Sequence, residues 1–214
     1  MKRRELLVGT SSLAALGAAG CLGTVGLDEY EASPAGVDPA VRDETGYAQT
    51  NVEEFVVERS VDVAGASETI SVTNYLTEHE KAIDLGPLGS IRAAAFVVMT
   101  SPQISIAGRE FNPIAEMSSE ELIGLIEADF DQINNAEHVA DEAVTILGQE
   151  TTESLFEAEA TFDGTTVDVN VHLSESVQTT NDHLVTIGVY PTRLERIEAE
   201  NIGALMAGVV EDAE

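Results

Sequence analysis

Five polar side chains at two-residue spacing offer the most concrete chemistry in this chain: Glu157, Glu159, Asp168, Asn170 and His172. They flank Asp163-Gly164, and an Asp-Gly step between two alternating segments is a strong signal for a two-residue β-turn. With Phe162 opposite Thr165, the register sets Phe156 against Val171, Ala158 against Val169 and Ala160 against Val167 on one apolar face. The other face then pairs Leu155 with His172, Glu157 with Asn170 and Glu159 with Asp168. Carboxylate and amide oxygens gathered this way suit a hard cation such as calcium, although the spacing matches no EF-hand loop. Glu157, Glu159, Asp168 and Asn170 are the candidate metal ligands, for weak cation binding, and no other cofactor is expected. The alternative is a solvated acidic face whose like-charge repulsion salt removes.

Asp129 is a second candidate. On a helix beginning near Ser118 it falls among Leu122, Leu125, Ile126 and Ile133, and a carboxylate on an apolar face can mark a site with a raised pKa. A bend or a solvated edge would explain it equally. The four histidines are His79, His138, His172 and His183. None forms a helical two-histidine metal pair. Asp182-His183 and His138 with Asp141 are candidate dyads, and Ser101 ends a central apolar run where a nucleophile could sit. No G-x-S-x-G surrounds Ser101. Phosphate-binding glycine loops and dinucleotide fingerprints are missing, so no catalytic residue is assigned.

The amino terminus is more specific. Lys2-Arg3-Arg4 is followed by an uncharged run from Leu6 to Gly20 and by Ala18-Ala19-Gly20-Cys21. A basic head, a short apolar middle and small residues before a cut form an export signal. The run is too short to span a bilayer comfortably. Arg3 and Arg4 point to the twin-arginine route. Cys21 stands where a lipobox places the thiol that is lipidated, although Ala18 occupies a position where leucine is usual. The competing reading is a buried N-terminal helix with an incidental cysteine.

Loss of residues 1–20 takes three basic residues and one acidic residue from the 10 and 39 of the whole chain, leaving 7 and 38. Lys81 is then the only lysine. So negative a chain repels itself in dilute buffer. In molar salt the screening length falls to about 3 Å. The composition therefore suits a salt-rich environment, the alternative being an ordinary acidic mesophilic protein. Scattered arginines and few lysines exclude nucleic acid as a partner, because phosphate backbones need clustered cations. They also exclude direct docking on an anionic membrane, which leaves lipid on Cys21 as the membrane attachment. One acyl chain holds weakly, so a dual-chain anchor is implied. With Cys21 modified, thiol catalysis, disulfides and thiolate metal sites are ruled out. The protein or small-molecule partner is left open.

These residues are positioned by an α+β domain: a largely antiparallel β-sheet with two main helices packed on it. Residues 1–20 are the signal peptide, 21–29 the lipidated cysteine and tether, and 30–214 a single domain. The stretch from Leu22 to Gly26 reaches at most roughly 17 Å. Asp38-Pro39 starts a short helical turn. Alternation over Phe55–Val63 and Ile70–Thr77, joined at Ala64-Gly65-Ala66-Ser67, predicts a hairpin. Ala93 to Met99 reads as a central strand covered on both faces, and Ile104 and Ile106 as another short strand. Ser118 with Glu121 has capping-box spacing. The helix that follows should carry Leu122, Ile126, Phe130 and Ile133 on one face and end at Asn134-Asn135. A short strand from Val144 to Leu147, the Asp-Gly hairpin and a last strand through Val185, Ile187 and Val189 come next. The terminal helix should bury Ile202, Leu205, Met206, Val209 and Val210, its small residues (Gly203, Ala204, Ala207, Gly208) letting it lie close to the sheet.

Over nearly its full length the chain resembles an uncharacterised family of haloarchaeal exported lipoproteins. The resemblance rests on Lys2-Arg3-Arg4, Ala19-Gly20-Cys21, Ser33-Pro34-Ala35, Thr45-Gly46-Tyr47, and Asp182 to Pro191 with the helix from Glu200 to Glu211. It implies an extracytoplasmic, lipid-anchored, salt-adapted protein and carries no activity with it. The segment Thr186 to Pro191 before an apolar-striped helix is also similar to the end of the PsbP-like fold. Fold alone does not give function. The expected role is a non-catalytic binding or structural domain at the haloarchaeal cell surface. The alternatives are an envelope hydrolase with an unrecognised acid/base site and a calcium-dependent structural protein.

Overall fold

The computed structural model describes residues 29–63, 66–84, 90–106, 109–110, 114, 117–129, 133–162 and 165–213. Arg3, Arg4, Cys21 and the rest of the expected signal and tether as far as Asp28 lie outside the described residues, as do Ala64-Gly65 and Asp163-Gly164, where turns are expected.

The chain opens with β1 (Glu29–Glu31), β2 (Gly36–Val37), α1 (Pro39–Thr45), β3 (Ala48–Val63), β4 (Ala66–Asp84) and β5 (Ser90–Pro102). Two short strands, β6 (Ser105–Ile106) and β7 (Arg109–Glu110), lead to α2 (Ser119–Asp129). Then come β8 (Ile133–Ile146), β9 (Gln149–Phe162), β10 (Thr165–Ser174), β11 (Val177–Gln178) and β12 (Asp182–Pro191). A 3-10 turn (Thr192–Leu194), α3 (Glu195–Ala207) and β13 (Val209–Val210) finish it.

Among the described residues a nine-stranded sheet runs β1-β4-β5-β12-β10-β9-β8, with β3 along the other side of β4 and β11 on β12. Every pairing in it is antiparallel except β1 with β4. The long outer strands are therefore β3 and β8. The acids Glu53, Glu54 and Glu58 on β3, and Glu137, Asp141 and Glu142 on β8, blunt these edges against pairing with other chains. Among the described residues no helix is long and apolar enough to cross a membrane.

Each face of the sheet has its own core. On one face, α1 and α3 close over Phe96, Val98, Leu184, Tyr190 and Ile146, with Ile202, Leu205 and Met206 supplied by α3. On the other, Leu122 and Ile123 of α2 cover Phe156, Ala158, Val169, Val171, Leu173 and Val185. Because side chains alternate along a strand, central strands buried on both faces read as continuous apolar runs. That holds for β12, whereas β5 is buried on its α3 face and half-buried at Ala95, Val97 and Met99 on the other. In β4 the burial changes sides: Ile70, Val72 and Asn74 are buried on the α2 face, then Thr77 and His79 on the α3 face. A small cluster of Ile70, Val72 and Ile104 continues the α2-side layer.

The hairpin register expected around Asp163-Gly164 is the observed one, from Phe162 opposite Thr165 to Leu155 opposite His172. Asp38 caps α1 by accepting from Ala40 N at 2.8 Å. The capping box of α2 is present: Ser118 N donates to Glu121 Oε2 at 3.0 Å, and Glu121 N to Ser118 Oγ at 3.3 Å.

Three expectations need correction. The helix after Ser118 does not reach Asn134-Asn135; Ile133, Asn134 and Asn135 already belong to β8, which is a 14-residue strand and not the short one expected from Val144 to Leu147. Register shifts at Asn134/Glu137 and His138/Ala140 break its period of two, so no alternation could be read from the sequence. Val209 and Val210 are not helical either, because they pair with Val37 and Gly36 as β13 on β2. Nor do Gly203, Ala204 and Ala207 bring α3 close to the sheet: a Cβ on Gly203 would meet nothing, and Ala204 and Ala207 are exposed, while Gly208 allows a close approach to α1, where its Cβ would lie 2.9 Å from Val41. The sheet supplies the room instead. A Cβ on Gly188 of β12 would lie 2.8 Å from Ile202 side-chain atoms.

Candidate functional site

On β10 the odd-numbered residues face α2, so Asp168, Asn170 and His172 point to the α3 side together with Glu153, Glu157 and Glu159 of β9. The pairing facing Glu157 with Asn170 and Glu159 with Asp168 is as expected. The environments differ along the strand. Glu157, Glu159 and Asp168 are exposed, whereas Asn170 is buried. Asn170 accepts from Thr192 Oγ1 at 3.0 Å, and its amide nitrogen is 3.4 Å from the Tyr190 hydroxyl. Glu159 instead accepts from Asn135 of β8. The amide oxygen is thus directed toward the strand-to-helix junction, away from the carboxylates. Among the described residues no three His, Cys, Asp or Glu side chains converge as metal ligands.

His172 lies beneath this face. Its Nδ1 meets Glu153 Oε1, and its Nε2 is 2.7 Å from the Tyr190 hydroxyl. Tyr190 has no exposure, and burial raises its pKa. A Glu-His-Tyr chain could pass a proton, but both imidazole nitrogens are engaged and the tyrosine is sealed under the core.

His138 and Asp141 do meet, at 2.8 Å. Residues three apart on a regular strand point to opposite faces. The bulge at His138/Ala140 restores them to one face, opposite Phe156 and Ser154. Ser154 Oγ donates to Asp141 Oδ1 at 2.7 Å and lies 2.8 Å from Ser119 Oγ of α2. The Ser154 and His138 bonds hold the Asp141 pKa below its ordinary value. Serine, aspartate and histidine are in contact here, but in the wrong order for nucleophilic catalysis. The carboxylate sits between the other two, so the histidine cannot take the serine proton.

Asp182 and His183 are consecutive on β12 and face opposite ways, so this candidate dyad is not formed. His183 is the register partner of Ser101, both being buried, and its Nδ1 is 3.4 Å from Ser176 Oγ. The side chain of Asp129 lies outside the described residues.

Sequence reasoning missed two polar centres. Glu198 on α3 is 3% exposed and accepts from Tyr47, Lys81 and Asn201. The second is a cavity of about 80 Å³ lined by Ser33, Ala35, Thr100, Thr179, Asn181, Asp182 and Glu211. Asp182 Oδ2 accepts from Ser33 N at 3.1 Å, and Thr100 Oγ1 donates to Ser33 O at 2.8 Å. Asp182 Oδ1 is buried and has no partner among the described residues. Burial and the nearby Glu211 raise the Asp182 pKa, opposed by the Ser33 bond and His183. These residues lie far apart in sequence, and only an acid within the buried start of β12 could have hinted at them.

Residues 34–210 match the model of a family described as Domain of unknown function (DUF6517). No curated protein matches the chain. Among solved structures, a Pseudomonas aeruginosa protein of unknown function is similar over 67% of this chain and 90% of its own, at 12% identity and a TM-score of 0.29. The solution structure of cyanobacterial PsbP from Synechocystis is similar over 91% of this chain and 98% of its own, at 14% identity and a TM-score of 0.35.

Proposed function

The chain belongs to the DUF6517 family, and from that premise we propose that it is a non-catalytic binding or structural domain held at the outer face of a haloarchaeal membrane by lipid on Cys21. The single observation carrying the non-catalytic part is that the best acid/base candidates are bound to one another in arrangements that leave no histidine beside a nucleophile. His172 is held between Glu153 and buried Tyr190, and Asp141 separates His138 from Ser154. Export and anchoring are supported by the order of Arg3-Arg4, the apolar run and Ala19-Gly20-Cys21. The lysine-poor acidic composition supports the salt-rich setting.

The test is cell fractionation of the native host expressing wild type or Cys21→Ser. Wild type should sediment with membranes and lose residues 1–20, with added lipid mass on Cys21. The variant should lose its anchor. Membrane retention of Cys21→Ser, or a native product with intact Met1 and unmodified sulfur, overturns the anchored reading.

The cross-strand pairing of Ser101 with His183 favours one second reading, an envelope hydrolase. It predicts covalent labelling of the folded chain by a fluorophosphonate at Ser101, lost in Ser101→Ala. The binding or structural reading predicts no labelling.

A further inference from the structure

At one end of the sheet, on the α3 side, the first residues of the domain meet its last ones. The segment containing Ser33 and Ala35, the start of β12 with its preceding turn, and Glu211 after β13 surround the cavity of about 80 Å³. No lysine, arginine or histidine is among its described lining residues. Its polar lining is instead rich in oxygen, from Asp182, Glu211, Thr100, Thr179, Asn181 and Ser33.

We propose that this cavity is a hard-cation site in which Asp182 Oδ1 and the Glu211 carboxylate bind a calcium-class ion, with Thr100 and ordered water completing the oxygen shell. The unpartnered oxygen is the central observation. Asp182 is 4% exposed, one carboxylate oxygen is held by Ser33 N, and the other has no partner among the described residues. An unsatisfied buried polar atom is costly, more so when charged. Glu211 adds a second negative charge to the same cavity. An anion would be repelled, and a neutral occupant would leave both carboxylates uncompensated. Calcium takes six to eight oxygens in flexible geometry and accepts hydroxyls, carboxylates and water together. An ion here would staple the start and end of the domain onto β12. The site is separate from the hairpin acids and stands whether or not Cys21 carries lipid.

The test uses the full chain in detergent, stripped with chelator and titrated calorimetrically with calcium chloride, with melting followed at matched ionic strength. Wild type should bind one calcium and melt several degrees higher. Asp182→Asn should abolish both effects, and Glu211→Gln should weaken binding at least tenfold. Glu159→Gln on the hairpin should leave them unchanged. Because Asp182→Asn removes the need to bury a charge, it should fold without calcium; if it does not, Glu211→Gln, at an exposed position, decides. No calcium response in wild type overturns the proposal. So does a response retained in both cavity variants, one lost in Glu159→Gln, or one reproduced by potassium chloride at matched ionic strength.

Discussion

Lys81 Nζ donates to Glu198 Oε1 at 2.8 Å, joining β4 to α3 through the only lysine after the signal region. The other carboxylate oxygen accepts from Tyr47 and from Asn201, each at 3.0 Å. The ammonium also sits 5.5 Å from the Tyr47 ring centroid. Burial, followed by the neighbouring Glu198, pushes the Tyr47 pKa far up, so the phenol stays protonated and donates. The pair positions α3 over the sheet. Lys81→Met should cost about 2 kcal/mol, below the range for a wholly buried pair because Lys81 is 21% exposed. Adding Glu198→Leu should recover part of the loss, since the second change removes the stranded charge. Urea unfolding of the single and double variants measures both effects; equal destabilisation by each would show that packing, not charge, dominates.

Gly188 is the contact point between β12 and α3. An alanine Cβ there would approach Ile202 side-chain atoms to 2.8 Å, in a core where Ile202 is fully buried. Gly188→Ala should destabilise by about 1–3 kcal/mol through overpacking. Ile202→Val in the same background removes a methyl group at the contact and should restore part of the loss. Thermal melts that leave Gly188→Ala unchanged would mean that α3 can shift without penalty.

Legibility followed local regularity. The β9–β10 hairpin was readable because two alternating strands and an Asp-Gly turn all specified one register, so a one-residue error would have reversed every side chain. The Ser118 cap was readable because both of its hydrogen bonds lie within four residues. In β8 the bulges erased the alternation while Ile133 continued the helical spacing of Leu122 and Ile126, and the longer helix was the wrong conclusion. Val209 and Val210 fitted the stripe of α3, but Gly208 ends the helix and β2 offers a strand partner that no local pattern reveals. The candidate site was legible only as a face. Sequence aligned Glu157, Glu159, Asp168 and Asn170, but could not tell that Thr192 and Tyr190 would engage Asn170. The Asp182 cavity needs Ser33 and Glu211 brought together from opposite ends of the domain.

His79 gives the fold an acid-labile point. Its Nδ1 donates to the Phe96 carbonyl at 3.1 Å, while Nε2 is buried with no partner among the described residues. Burial brings its pKa down from 6.5 to about 4, with Arg42 acting the same way and the Phe96 bond opposing them. The folded state therefore holds the neutral ring, and below pH 6.5 the unfolded chain takes up a proton that the folded chain refuses. Stability from this group is complete above pH 6.5 and falls as pH drops toward 4, by on the order of 3 kcal/mol. His79→Gln retains a donor for Phe96 and should flatten this part of the pH profile, even if less stable at neutrality. Parallel pH-stability curves for the two proteins would refute the assignment.

Ser118 and Glu121 cap α2, which covers the second core with Leu122 and Ile123. Ser118→Ala should cost about 1 kcal/mol. Hydrogen exchange in the first turn of α2 should accelerate while the β9–β10 amides keep their protection. An equal loss of protection in both would show that the cap supports the whole sheet.

Salt dependence follows from pairs that the sheet forces together. Glu159 is the register partner of Asp168, and Glu137 that of Glu157, all four side chains being exposed. Like charges directly opposed across strands destabilise by roughly 0.2–1 kcal/mol per pair. Raising salt from 0.1 M to 1 M shortens the screening length from about 10 Å to about 3 Å, less than the reach between neighbouring strands. The whole chain should therefore lose stability on dilution into low salt. Glu159→Gln and Glu137→Gln should each recover part of that loss in dilute buffer, while changing little in molar salt. Melting temperatures at both salt levels, with sodium as the sole cation, separate this from calcium binding at Asp182. If the variants gain as much in molar salt as in dilute buffer, screening of these pairs is not the cause.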